Sequence, residues 1–286
     1  MNSWRNAQEL HRQWLRQNQG MLGQELEYLN EDLADGSQAG LESVSDSLGI
    51  VATYHGIQGE VAICSGDTGG WEGVSRALLY RYWALRIKAR SFSTKAFLGG
   101  LNRAPNLTNQ FSSAGGLLAA FISADRQDLA GTVADILAGM IDVEGAVDAE
   151  YLKRRRFEPF MLWLYAMYSV QTTARVGSAF GVYQGVVDRW TDEQRFGGAL
   201  REVCRYHLTN IEDQGADWDP EFKHPPFDLL PLEVVAILKV RQKLGLFSPD
   251  IEHELICAET SAVELLTLEP DGVVLRVEAA YESLWG

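Results

Sequence analysis

The segment from Pro225 to Leu246 constrains the fold more than any other part of this sequence. Asp228 and Pro231 suit the first turn of a helix, and Gly245 suits the position just past its end. Residues 234–238 between them are apolar on every side of a helix. A helix without a polar face is buried against several neighbours. The segment therefore predicts a central helix in a larger array, with cations in its last turn at Lys239, Arg241 and Lys243.

Helical periodicity recurs along most of the chain, so the predicted fold is mainly α, a multi-helix globular array. Further helices are predicted over residues 114–124, 126–140, 158–187 and 192–210. Two strand-like runs, 263–268 and 273–277, flank a turn at Pro270, Asp271 and Gly272 and predict a small C-terminal β-hairpin. The stretch 99–113 predicts a linker between helical subdomains 1–98 and 114–286, with one continuous domain as the alternative.

Three glycines recur at every fourth position inside the predicted helix 158–187: Gly177, Gly181 and Gly185. On a helix this spacing places them on one strip, where a neighbouring helix can approach closely. The strip is therefore predicted to be a packing face.

The chain has 39 acidic and 25 basic residues, a formal net charge of −14. This balance argues against direct binding of nucleic acid or an anionic membrane surface, which requires clustered cations, and favours basic partners. The N-terminus lacks an apolar signal region, and the densest apolar run, Phe160–Tyr168, is too short to span a bilayer, so a cytoplasmic protein is expected. Three widely spaced cysteines, Cys64, Cys204 and Cys257, predict reduced thiols and neither a disulfide framework nor a zinc cage.

No motif points to an active site. The five histidines show neither the His–His nor the His–Cys spacing of a metal site. The glycine-rich stretch 66–70 lacks the Gly-Lys-Ser/Thr of a phosphate loop. We therefore predict that the chain is not an enzyme and needs no metal or cofactor. The enzymatic alternative would use carboxylates such as Glu158 or Glu202 on inward-facing helices.

Three groups of residues carry a resemblance to a known family. They are a helix from Trp71 to Phe92, the residues Phe157, Phe160 and Leu164, and the segment Leu229–Gly245. Together they resemble the pattern of the immunity protein 49 family of bacterial polymorphic-toxin immunity proteins. The matching residues are mainly core residues of helices. The resemblance implies a protein that binds and neutralises one cognate toxin in bacterial competition. The toxin domain is expected to be basic and to act on nucleic acid or nucleotides.

The predicted toxin-binding surface is an acidic loop centred on Trp218. Its residues are Glu212, Asp213, Asp217, Trp218, Asp219 and Glu221. An aromatic side chain ringed by carboxylates is the composition expected where an acidic inhibitor meets a basic cleft. The alternative is that Trp218 packs onto the core while the acids are solvated. A second candidate surface is the acidic helix end with Glu31, Asp32 and Asp35, and a second candidate function is a helical scaffold or regulatory binding protein.

Overall fold

The computed structural model describes residues 3–97, 106–169, 180–211 and 219–286. In these ranges the chain forms thirteen α-helices, two short 3-10 helices and no strand, so the predicted mainly α fold is confirmed. Among the described residues, no helix combines the length and the hydrophobicity that crossing a bilayer requires.

The helices follow one another in chain order. The α-helices are α1 (Ser3–Gln17), α2 (Met21–Asp35), α3 (Gln38–Ile63), α4 (Gly70–Phe97), α5 (Thr108–Ser123), α6 (Gln127–Asp142), α7 (Ala149–Arg154), α8 (Phe157–Tyr168), α9 (Gln184–Asp188), α10 (Phe196–Leu208), α11 (Leu232–Lys243), α12 (Ala258–Ser261) and α13 (Gly272–Trp285). The 3-10 helices span Gly181–Tyr183 and Val263–Leu265.

The two longest helices, α3 and α4, pack along each other and support the N-terminal half. Ser37 caps α3 by accepting a hydrogen bond from Gly40 N. Close approach is possible because glycines lie at the contact: a Cβ on Gly59 would come within 2.7 Å of Gly70 O. Helices α1 and α2 cover α3 on one side, and α13 packs against α2, α3 and α4.

Helix α11 lies at the centre of the C-terminal half, where it packs against α5, α8 and α10. The predicted central helix is therefore confirmed, and Gly245 ends it with a φ of +69°. Its predicted start is wrong. The helix begins at Leu232, and Asp228 is a buried partner of His11 and not its N-cap.

The buried apolar side chains form one contiguous cluster that runs from Ala7 to Val277. It includes Leu85 before the predicted linker and Phe111 within it. The division into 1–98 and 114–286 stays a prediction, and part of its proposed linker lies outside the described residues.

The predicted C-terminal hairpin is wrong. Residues Val263–Leu265 form a 3-10 turn, and the second strand-like run belongs to helix α13. The turn residue Asp271 is the N-cap of this helix, since its carboxylate accepts hydrogen bonds from Val273 N and Val274 N at 3.0 Å. Val274 and Val277 are three positions apart and both buried, which is the spacing of one face of a helix.

The predicted glycine strip on one long helix is also wrong in the described residues. Helix α8 ends at Tyr168, and Gly177 lies outside the described residues. Gly181 has a φ of +57°, which no α-helix contains, and a Cβ there would come within 2.9 Å of Arg156 Cγ. Gly181 is therefore required by its backbone conformation, whereas Gly185 lies in the regular helix α9.

We expect the two glycines to respond differently to the same substitution. Gly181→Ala should lower the free energy of unfolding by about 1–2 kcal/mol, because a side chain is disfavoured at positive φ. Gly185→Ala is the matched control and should be neutral or slightly stabilising, since its nearest neighbour would lie 3.4 Å away. Urea unfolding of both variants measures this difference. Equal losses would instead support a common packing strip.

Candidate functional site

Residues 219–231, here called the central segment, carry the buried polar chemistry of this chain. From Pro220 to Pro231 the segment is buried except at Lys223 and His224. Pro231 is the last residue before helix α11. Buried backbone without regular structure needs hydrogen-bond partners, and side chains of four helices provide them. Leu229 is held at both backbone groups: its carbonyl oxygen accepts a hydrogen bond from Trp4 Nε1 at 3.3 Å, and its N–H donates to Glu60 Oε1 at 3.0 Å. Arg81 Nε donates to Pro225 O at 2.8 Å, and His207 Nε2 lies 2.9 Å from Asp228 O.

The first ionic cluster surrounds Arg155, at the start of the central segment. Its guanidinium Nε lies 3.1 Å from both carboxylate oxygens of Glu158 and 3.9 Å from Glu221 Oε1. All three side chains are buried. Burial disfavours the charged guanidinium, but the Glu158 carboxylate and then Glu221 raise the pKa of Arg155. One cation thus faces two buried carboxylates.

In this cluster, Glu221 is the carboxyl group whose ionisation is disfavoured. Burial and the neighbouring Glu158 carboxylate raise the pKa of Glu221 to about 7. Its Oε1 accepts a hydrogen bond from Arg156 N at 2.9 Å. Glu221 therefore titrates near neutral pH as part of the interior.

The second cluster fixes the middle of the central segment to α10 and α11. His207 is fully buried, and its Nδ1 lies 2.8 Å from Glu233 Oε1. The imidazole stacks on Phe222 with 4.2 Å between ring centroids. Burial opposes protonation, but the Glu233 carboxylate raises the pKa of His207 overall. The pair holds the ring so that Nε2 reaches Asp228 O.

The third cluster joins α1 and α3 to the central segment. His11 Nε2 lies 3.0 Å from Asp228 Oδ2, and His11 Nδ1 lies 3.5 Å from Glu60 Oε2. Burial and then the Asp228 carboxylate raise the pKa of Glu60 well above its ordinary value. Burial opposes ionisation of Asp228, but His11 lowers its pKa overall. The cluster therefore contains two carboxyl groups beside one imidazole, the donor set that could hold a metal.

A small polar cavity of about 110 Å³ lies next to the central segment. Arg81, Lys88 and His224 line it. Arg81 also donates to Thr53 Oγ1 at 2.9 Å, and Lys88 pairs with Asp46 at 2.8 Å. Burial and then Arg81 lower the pKa of His224 to about 3, so its ring is neutral. Because both cations have partners within the fold, the cavity has little charge left for a substrate.

A larger groove of about 570 Å³ runs between α4, α6 and α13 and is mostly apolar. Its charged side chains include Arg86, which lies over the rings of Trp83 and Tyr281 at 4.4 and 4.6 Å from their centroids. Asp135 is an acid in its lining. The groove therefore offers mainly apolar binding surface.

The two carboxylates of the enzymatic alternative occupy different environments. Glu158 is fully buried in the Arg155 cluster, whereas Glu202 is exposed and pairs with Arg205 on the same helix. A pair of carboxylates that act on one substrate must face the same cleft. Glu158 and Glu202 do not form such a pair.

Only part of the predicted toxin-binding loop lies within the described residues. Glu212, Asp213, Asp217 and Trp218 lie outside the described residues. Asp219 is exposed and pairs with Lys223. The assignment of Glu221 to a surface is wrong, because its carboxylate is 4% exposed and faces Arg155.

The second predicted surface is exposed. On α2, Glu31 and Asp35 face solvent and Asp32 is half-buried. The side chain of Asp35 also accepts a hydrogen bond from Ser37 Oγ. Next to this helix end, Asp32 and Leu33 form a cleft of about 210 Å³ with Ala280 and Leu284 of α13.

Comparisons with family models, with curated proteins and with solved structures find no match to this chain. The resemblance to immunity protein 49 therefore rests on the quoted residues alone. Most of these residues are buried: Trp71, Phe92, Phe157, Phe160 and Leu164 all belong to the hydrophobic cluster. They report on helix packing and not on a binding surface.

The pKa of Glu221 leads to a pH-dependent prediction. The unfolded chain releases this proton near its ordinary pKa of 4.5, whereas the folded chain keeps it until about pH 7. The free energy of unfolding should therefore fall as the pH rises between these values and stay level above them. Glu221→Gln removes this titration and keeps an acceptor for Arg156 N. We expect the variant to be more stable than wild type at pH 8 by about 1–3 kcal/mol, and no more stable below pH 4.5.

Urea unfolding at several pH values measures this difference, with Asp219→Asn as the exposed control. A variant that loses as much stability as wild type between pH 5 and pH 8 would contradict the assignment to Glu221.

Proposed function

We propose that this chain is a stoichiometric protein inhibitor that binds a basic toxin domain through an acidic surface. The observation that carries the proposal is the location of its charge. Among the described buried side chains, five are acidic (Glu60, Glu158, Glu221, Asp228, Glu233) and three are basic (Arg81, Arg155, Arg241). The interior is therefore nearly balanced, and most of the net charge of −14 lies outside it.

The surface charge is concentrated in two parts of the sequence. Residues 21–46 contain no Lys or Arg and hold Glu25, Glu27, Glu31, Asp32, Asp35, Glu42 and Asp46. Residues 250–286 contain Arg276 as their sole Lys or Arg, among nine acids. Helix α13, at the end of the second part, packs against α2, at the start of the first. The contact places the acids of α13 beside those of α2.

We call this surface the acidic face and define it by the exposed residues Glu27, Tyr28, Glu31 and Asp35 of α2 and Glu278, Glu282 and Leu284 of α13. Within the part of the chain that the structure describes, no Lys or Arg forms an ion pair with Glu27, Glu31 or Glu282. Tyr28 is 46% exposed and Leu284 is 36% exposed, so the face also offers apolar contacts. Unpaired carboxylates around apolar side chains suit a basic protein partner.

We infer the partner from the resemblance to the immunity protein 49 family and from the negative charge of the acidic face. Toxins that act on nucleic acid or nucleotides carry basic clefts, and an acidic face can cover such a cleft. The loop with Asp217 and Trp218 could extend the contact, and this stays a prediction. The helical scaffold is the second candidate function, since the apolar groove beside Arg86 could receive another protein.

Charge reversal on the acidic face tests the proposal. Glu27→Lys with Glu31→Lys should slow association with the toxin domain encoded beside this gene by about tenfold or more at low salt, because electrostatic steering is lost. Glu144→Lys with Glu193→Lys is the matched control, since both acids are exposed elsewhere and the net charge changes equally. Association rates against a catalytically inactive toxin domain, at low and high salt, measure the effect.

Co-expression with the active toxin provides the cellular readout. The control double variant should restore growth, and the acidic-face variant should protect less well. Equal behaviour of the two variants in both assays would place the contact elsewhere.

A further inference from the structure

Three ligand-type atoms without hydrogen-bond partners converge where α1, α3 and the central segment meet. They are His11 Nδ1, Glu60 Oε2 and Asp228 Oδ1; each atom is buried and makes no hydrogen bond among the described residues, although His11 Nδ1 and Glu60 Oε2 lie 3.5 Å apart. One nitrogen or oxygen from each of the three side chains lies within 4.8 Å of the others. Buried polar atoms are nearly always paired in folded proteins, so three such atoms in one cluster require an explanation.

A hydrogen bond alone explains only part of the cluster. Glu60 is fully buried, and its second oxygen, Oε1, already accepts from Leu229 N. Asp228 Oδ2 already faces His11 Nε2. The remaining oxygens of the two carboxylates can interact favourably only if a proton or a cation lies between them.

The donor set fits a divalent transition metal. Imidazole nitrogen and carboxylate oxygen both bind Zn²⁺ at about 2.0–2.2 Å, which places the ligand atoms of one ion within about 3–4.5 Å of each other. Two carboxylates and a neutral imidazole would balance the charge of one such ion. The His11 side chain is 13% exposed, so water can complete the coordination from that side.

We propose that His11, Glu60 and Asp228 bind one divalent transition-metal ion, with Zn²⁺ as the best match to their donor atoms. The ion would cross-link α1 and α3 to the central segment. Its role would be structural, because the three ligands come from separate parts of the chain and the site is nearly enclosed. This site is independent of the acidic face.

Metal binding to the full-length protein tests the proposal. After treatment with EDTA and gel filtration, the chain is mixed with ZnCl₂, MnCl₂ or MgCl₂, and bound metal is measured by mass spectrometry. We expect about one equivalent of Zn²⁺ to be retained, less Mn²⁺ and no Mg²⁺. Excess Zn²⁺ should raise the Tm by about 5 °C.

Variants separate this site from adventitious binding. Glu60→Gln and Asp228→Asn should each abolish retention of Zn²⁺ and the Tm increase. Glu233→Gln changes another buried carboxylate that pairs with a histidine, and Cys257→Ser removes a thiol near Cys64; both should bind Zn²⁺ like wild type. Failure of wild type to retain metal, or retention by Glu60→Gln and Asp228→Asn, would overturn the proposal. A higher Tm of metal-free Glu60→Gln together with no metal binding would show that the carboxyl pair shares a proton.

Discussion

The pairing of the buried central segment with ionisable side chains is the interaction on which the rest of this structure depends. Residues 219–231 cross the interior largely without regular secondary structure, so most of their buried backbone groups need partners outside the segment. Glu60, Arg81 and His207 reach the segment from α3, α4 and α10. Each of these side chains is itself buried and would be costly without a partner. The helices are thus held together by polar contacts as well as by the apolar cluster.

This arrangement has a consequence for function. The acid and base groups that could serve catalysis are largely engaged inside the fold: Arg155 binds Glu158, and His207 binds Glu233. The charged groups of α2 and of the C-terminal segment are mainly carboxylates. This distribution supports the proposal that the chain is an inhibitor that binds a cation-rich partner.

The sequence predicts the helical class and the central helix because both depend on local periodicity and on helix-end residues. It misleads where one pattern fits two structures. The Asp271–Gly272 pair suits a hairpin turn as well as a helix cap, and Val274 and Val277 lie in a run short enough for a strand. Packing of α13 against α4 decides between them.

The ionic clusters could not be predicted from spacing. His11, Glu60 and Asp228 are far apart in the chain, and each looks like an ordinary helix or loop residue in its own segment. Only Arg155 and Glu158 carry a local signal, since three positions separate them on the chain. The burial of Glu221 could not be predicted from the sequence either, because a segment rich in acids predicts a solvated loop.

Stoichiometry tests the central claim, that this chain acts by binding, most directly. Purified toxin domain is held at a concentration well above the dissociation constant, and its activity is measured as the protein is added. The account predicts a linear loss of activity that reaches completion at a fixed molar ratio and is accompanied by a complex of the same ratio in gel filtration. Complete protection at a small fraction of that ratio, with no complex formed, would show turnover and contradict the account.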